Sequence, residues 1–84
     1  MRQTDIQSII KASEKKQSGE KLTVKEARLM AGYRGKEMAK ILKMTYQTYK
    51  RRENDPSTIT MGEAEAFLGA VGLDFNDVDF LVNM

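Results

Sequence analysis

Apolar residues recur at helical spacing along most of this chain, in short stretches separated by Gly, Pro and capping residues. The first stretch sets Ile6, Ile9 and Ile10 on one face, with Thr4 or Asp5 as a cap. Beyond Ala12 the stripe fades into the polar residues 13–21. The pattern predicts a short amphipathic helix running into a solvated hinge. Three isoleucines on one face need a partner, so this helix must dock on the rest of the chain, pair with another copy, or fray.

Two later starts carry a stronger signal. Thr23 and Glu26 stand three residues apart, as do Thr60 and Glu63. In each pair the Thr hydroxyl can accept from the Glu amide while the carboxylate reaches back to the Thr amide, closing a capping box. Leu22 and Ile59 precede these boxes as hydrophobic staples. After the first box Ala27, Met30 and Ala31 form a narrow apolar face, and Gly32 is placed as a left-handed terminator. After the second, Ala64, Phe67, Leu68 and Val71 follow at i, i+3, i+4 and i+7 until Gly72.

Between these helices the pattern predicts two more. Residues 35–42 bury Met38, Ala39, Ile41 and Leu42, and residues 46–53 follow Thr45 as N-cap, with Tyr49 inward. Pro56 stops that helix. Asp74 caps a last predicted helix with Phe75, Val78 and Leu81 inward. No strand-period alternation is present. The chain reads as all-α: five short helices after an N-terminal leader.

Composition removes several function classes. The chain has no Cys and no His, so it offers no disulfide frame, no thiol nucleophile and no imidazole base or metal ligand. It carries no Gly-rich phosphate loop, and Asp74, Asp77 and Asp79 lack the Gly turn and distal Glu of a calcium loop. No enzyme activity, metal, cofactor or small-molecule ligand is therefore expected. No apolar run approaches the ~18 residues of a membrane span, and the polar N-terminus has no signal-peptide core. A cytoplasmic domain is expected.

Charge order carries more than net charge. The total is +2, yet all fourteen Lys and Arg lie in residues 1–52, whose five acids leave +9, while residues 53–84 hold seven acids and no base, −7. The basic half contains the helices at 35–42 and 46–53, whose short connection forces a steep crossing, the helix-turn-helix arrangement. In that arrangement the second helix enters the DNA major groove and the first crosses the backbone. From Arg34 to Arg52 there are seven basic residues and one acid, Glu37. Tyr46, Gln47 and Lys50 lie on the outer face of the second helix, polar or aromatic groups able to reach base edges.

The landmarks Ala27-Arg28, Ala31-Gly32-Tyr33, Glu37-Met38-Ala39, Leu42, Met44-Thr45, Gln47-Thr48-Tyr49, Arg52-Glu53-Asn54 and Pro56 resemble the Cro/CI-type helix-turn-helix family (XRE, lambda-repressor-like) over about residues 22–82. The resemblance implies a five-helix lambda-repressor-like domain at 22–84, with residues 1–21 as an additional N-terminal helix and hinge. It implies base contacts from Tyr46, Gln47 and Lys50. Arg34, Lys36, Thr45, Thr48 and Arg51 would lie near phosphates, and Arg28 and Glu53 would form a structural ion pair. It also implies a homodimeric regulator of phage or mobile-element type that binds double-stranded DNA. The competing expectation is a protein-interaction module, an antitoxin or anti-repressor that keeps the fold. Three positions depart from the family pattern: Gly35 stands where Gln is frequent, Lys43 where the turn usually carries Gly, and Arg52 where an apolar residue is common.

Overall fold

A computed structural model describes residues 3–80, which form five α-helices and one two-stranded parallel bridge. Helix α1 spans Gln3–Ser18, β1 Leu22–Thr23, α2 Val24–Met30, α3 Gly35–Ile41, α4 Tyr46–Asn54, α5 Met61–Val71 and β2 Val78–Asp79. The all-α reading holds, and the helix pair falls where the apolar spacing put it.

Local capping explains most boundaries. The Glu26 amide donates to Thr23 Oγ1 at 3.1 Å, and the Thr23 amide to Glu26 Oε1 at 2.9 Å, closing the first box. The second is its counterpart, with Glu63 N to Thr60 Oγ1 at 3.1 Å and Thr60 N to Glu63 Oε1 at 3.0 Å. Gly32 and Gly72 take φ of 85° and 72° beyond α2 and α5, the left-handed backbone that a side chain disfavours.

The core gathers Ala12, Leu22, Val24, Ala27, Met38, Ala39, Tyr49, Ala64, Phe67, Leu68, Val78 and Phe80 from every helix and both strands. The Phe67 and Phe80 rings meet edge to face with centroids 6.3 Å apart, a favoured geometry for aromatic pairs. Several expected inward residues face out instead: Met30 is 36% exposed, Ile41 40% and Phe75 50%, and Ala31 is exposed as well. Met30 and Ile41 each sit in the last turn of a seven-residue helix, where the apolar stripe has already rotated off the core, and Phe75 stands on a single 3₁₀ turn rather than on a helix.

Two elements differ from the sequence expectation. Helix α1 does not fade at Ala12 but continues to Ser18, and Thr4 and Asp5 lie within its first turn rather than capping it. The cause is tertiary: Ala12 is fully buried against the core, and Lys15 Nζ reaches Glu26 Oε1 at 2.9 Å, so the polar second half is tied to α2. Of the three isoleucines Ile9 is half-buried, while Ile6 and Ile10 stay exposed.

The last predicted helix is absent from the described residues. Residues Phe75–Asp77 make one 3₁₀ turn, and β2 then pairs in parallel with β1, Leu22 opposite Val78 and Thr23 opposite Asp79. Val78 and Phe80 are buried while Asp79 between them is less so, a period of two that suits an extended strand. The free backbone edge of Leu22–Thr23 supplies the hydrogen-bond partners. Leu81, expected on that helix, lies outside the described residues.

Candidate nucleic-acid interface

The connection from α3 to α4 begins with Lys43 in the left-handed region at φ 58°. For a residue with a side chain that conformation costs about 1–2 kcal/mol, which accounts for the glycine common at this turn. The compensation is structural, since Met44 N donates to Ala39 O at 3.0 Å and closes α3. Thr45 then starts α4, its Oγ1 accepting from the Thr48 amide at 3.2 Å and its hydroxyl donating to Thr48 Oγ1 at 3.0 Å.

Helix α4 has one buried and one open side. Tyr49 faces the core at 2% exposure, while Tyr46, Gln47, Lys50 and Arg51 are exposed. A buried polar network fixes the helix. Arg28 donates from Nε to Glu53 Oε2 at 2.8 Å, from one terminal nitrogen to Glu53 Oε1 at 3.2 Å and from the other to the Tyr33 carbonyl at 2.9 Å. The Tyr49 hydroxyl donates to Glu53 Oε2 at 2.6 Å. Burial works against the Arg28 charge, but the hydrogen bonds and charge of Glu53 outweigh it and hold the guanidinium pKa above its ordinary value. Burial first, and the Glu53 carboxylate second, push the Tyr49 phenol well above its ordinary range, so it stays a donor. The network joins α2, the loop after it and α4.

Helix α4 is held from its other side by Arg52, whose Nε lies 3.1 Å from Glu63 Oε1 on α5. That ion pair explains why a cation stands at a position that is usually apolar. Its aliphatic stem lines an apolar recess with Leu42, Met44, Ile59 and Phe67.

Beside the network runs an open cleft between the starts of α3 and α4. Lys25, Arg34, Lys36, Tyr46 and Lys50 line it, together with Tyr33 and Gly35. The acids along it are Asp5 and Glu53; Asp5 Oδ1 lies 3.8 Å from Lys25 Nζ, and Glu53 is occupied by Arg28. Lys36 Nζ sits 5.8 Å from the centre of the Tyr46 ring, within cation–π range. The surface is therefore cationic, with an exposed polar and aromatic helix at its rim.

Every residue expected at the interface can be placed. Tyr46, Lys36, Arg34 and Lys50 come together along the cleft, while Gln47, Arg51 and Thr45 are exposed on and before α4. Thr48 is half-buried and held by Thr45. Arg28 and Glu53 line the cleft as well, paired with each other. Lys25, Tyr33 and Gly35 join these residues on the surface. They come from separate elements, and only the crossing of α2, α3 and α4 brings them to one place. Among the described residues no cluster of acids able to hold a metal occurs, and no helix is long and apolar enough to cross a membrane.

No curated protein and no solved structure matches the chain. A helix-turn-helix family model matches residues 24–78, from the first residue of α2 to the first of β2. That span contains the α3–α4 pair with its short connection and the network that holds it, and the chain belongs to the Cro/CI-type (XRE, lambda-repressor-like) helix-turn-helix family of DNA-binding regulators.

Proposed function

We propose that the chain binds duplex DNA at specific sequences, with α4 in the major groove and the start of α3 against the backbone. The observation that carries this reading is the two-sided character of α4. Its inner side is locked by Tyr49 and Glu53, and its outer side presents Tyr46, Gln47, Lys50 and Arg51 to solvent beside Arg34 and Lys36. A locked helix presents side chains in fixed register, which base reading requires. Gln47 can pair bidentately with adenine, worth ~1–3 kcal/mol of discrimination. Tyr46 and Lys50 flank it toward bases, and Arg34, Lys36, Thr45, Thr48 and Arg51 lie toward phosphates. Arg28 and Glu53 act by holding α4, without touching DNA.

The biological role that fits is a small transcription regulator of phage or mobile-element type, working in a bacterial cytoplasm on the nucleoid. It acts as a homodimer on half-sites about one helical turn (~34 Å) apart. Residues 1–21, which contain α1 over Gln3–Ser18, are an appended segment on the DNA-binding domain. A second reading, a protein-interaction module that keeps the fold, is favoured by exposed Ile6 and Ile10 on α1.

The slope of log K against log[salt] on random duplex DNA separates the two. Each phosphate neutralised contributes about −0.9 to the slope, so Arg34, Lys36, Arg51 and their neighbours give a steep negative line. A flat line, or no binding at low salt, overturns the DNA reading in favour of the protein module.

A further inference from the structure

Gly35 opens α3 and is half-buried. Unlike Gly32 and Gly72 it has no left-handed backbone, so conformational freedom is not what this position requires. A Cβ added there would meet Tyr46 Cε1 at 2.9 Å, with Cδ1 and Cζ at 3.7 and 3.8 Å. The Tyr46 ring thus occupies the space a side chain at 35 would take. Its face is covered by Lys36, one residue along α3, with Nζ 5.8 Å from the ring centre. The ring nonetheless stays 42% exposed. The Cε1 edge of the ring therefore sits where Gly35 lacks a Cβ, and the Lys36 ammonium lies over its face.

We propose that Gly35 is a specificity-determining positioning residue: it seats the Tyr46 ring against α3, with Lys36 over it, so that the ring's edge makes apolar contact with a thymine methyl. The inference rests on the DNA-binding reading above and adds which group at this end of α4 is read, and how. An aromatic edge suits the methyl, the one apolar group in the major groove. An amide-bearing side chain at 35 would displace the ring and leave a polar group in its place.

The test is in vitro selection from random duplex DNA with the full chain and four variants: Gly35→Ala, Tyr46→Ala, Tyr46→Phe and the double variant Gly35→Ala/Tyr46→Ala. Wild type and Tyr46→Phe are expected to select a thymine at one position, while Gly35→Ala and Tyr46→Ala lose that preference and keep the rest of the motif. The double variant is expected to match Tyr46→Ala, because the added Cβ then has room. Replacing that thymine by deoxyuridine is expected to weaken wild-type binding about fourfold, the loss that corresponds to one buried methyl, and to leave Tyr46→Ala unchanged. The Lys36 ε-methylene protons, shielded by the ring in wild type, report the seat directly, and their shift should relax in Gly35→Ala. Alanine is a better helix residue than glycine, so loss of fold does not mask the result.

A Gly35→Ala protein with an unaltered motif and unaltered Lys36 shifts overturns the proposal and leaves the DNA-binding reading standing. Loss of the thymine in Tyr46→Phe also overturns it, by moving recognition to the hydroxyl. A wild-type chain that selects no motif overturns both.

Discussion

Two of the ion pairs that tie α2 to α1 and α4 are built to different standards. Toward α4, Arg28 spends all three of its nitrogens on Glu53 and the Tyr33 carbonyl, and the two charged side chains are 9% and 14% exposed. Toward α1, Lys15 makes one 2.9 Å contact with Glu26 and is 30% exposed. The planar guanidinium matches a carboxylate with two parallel bonds, while the ammonium is a point charge that water can replace. The difference follows what each helix has to do. In the proposed function α4 must hold a register against DNA to fractions of an ångström, and α1 need only cover Ala12 and its surroundings.

The sharpest way to break this comparison is to remove one partner of each pair and compare urea midpoints. Glu53→Ala strands the Arg28 charge and the Tyr49 hydroxyl in the interior, and a loss of about 3–5 kcal/mol is expected. Lys15→Met leaves Glu26 with its Thr23 bonds and should cost at most about 1 kcal/mol, because the lysine end of the pair is open to water. Equal losses would mean that burial and bidentate geometry do not distinguish the two ties.

A smaller effect sharpens the same comparison through pH. Burial raises the Glu26 pKa, but the Thr23 amide and Lys15 together outweigh it and hold the carboxyl below its ordinary value. A depressed folded-state pKa favours the ionised form, so this stabilisation is full above the ordinary carboxylate pKa of about 4.3 and is lost as pH falls through the folded value. In a series of thermal melts between neutral and acid pH, Glu26→Gln should therefore flatten part of the acid loss seen in wild type. An unchanged acid profile would show that Glu26 does not contribute to it.

The three departures from the family pattern divide by the distance over which each is answered. Lys43 is answered locally, by a strained left-handed turn whose cost falls on one residue. Arg52 and Gly35 are answered from other helices, by Glu63 and by the Tyr46 ring. Read along the chain, Gly35 looks like a lost contact. In space it is half of a pair eleven positions apart, and nothing in the local pattern of either residue signals the other.

Interactions spanning three or four residues were therefore legible from the chain alone. The two Thr–Glu boxes, the Thr45 cap, the terminal Gly32 and Gly72 and the inward Tyr49 all depend on helical geometry, which the spacing already contains. With the landmark residues they determined the all-α class, the α3–α4 pair and the cationic face. The extension of α1 to Ser18, the strand at Val78 and the seating of Tyr46 were decided only by tertiary structure. Each depends on a partner far away in sequence: Glu26 for Lys15, Leu22 for Val78, Gly35 for Tyr46. Local propensity in those segments is weak enough that the energy of the distant contact sets the conformation.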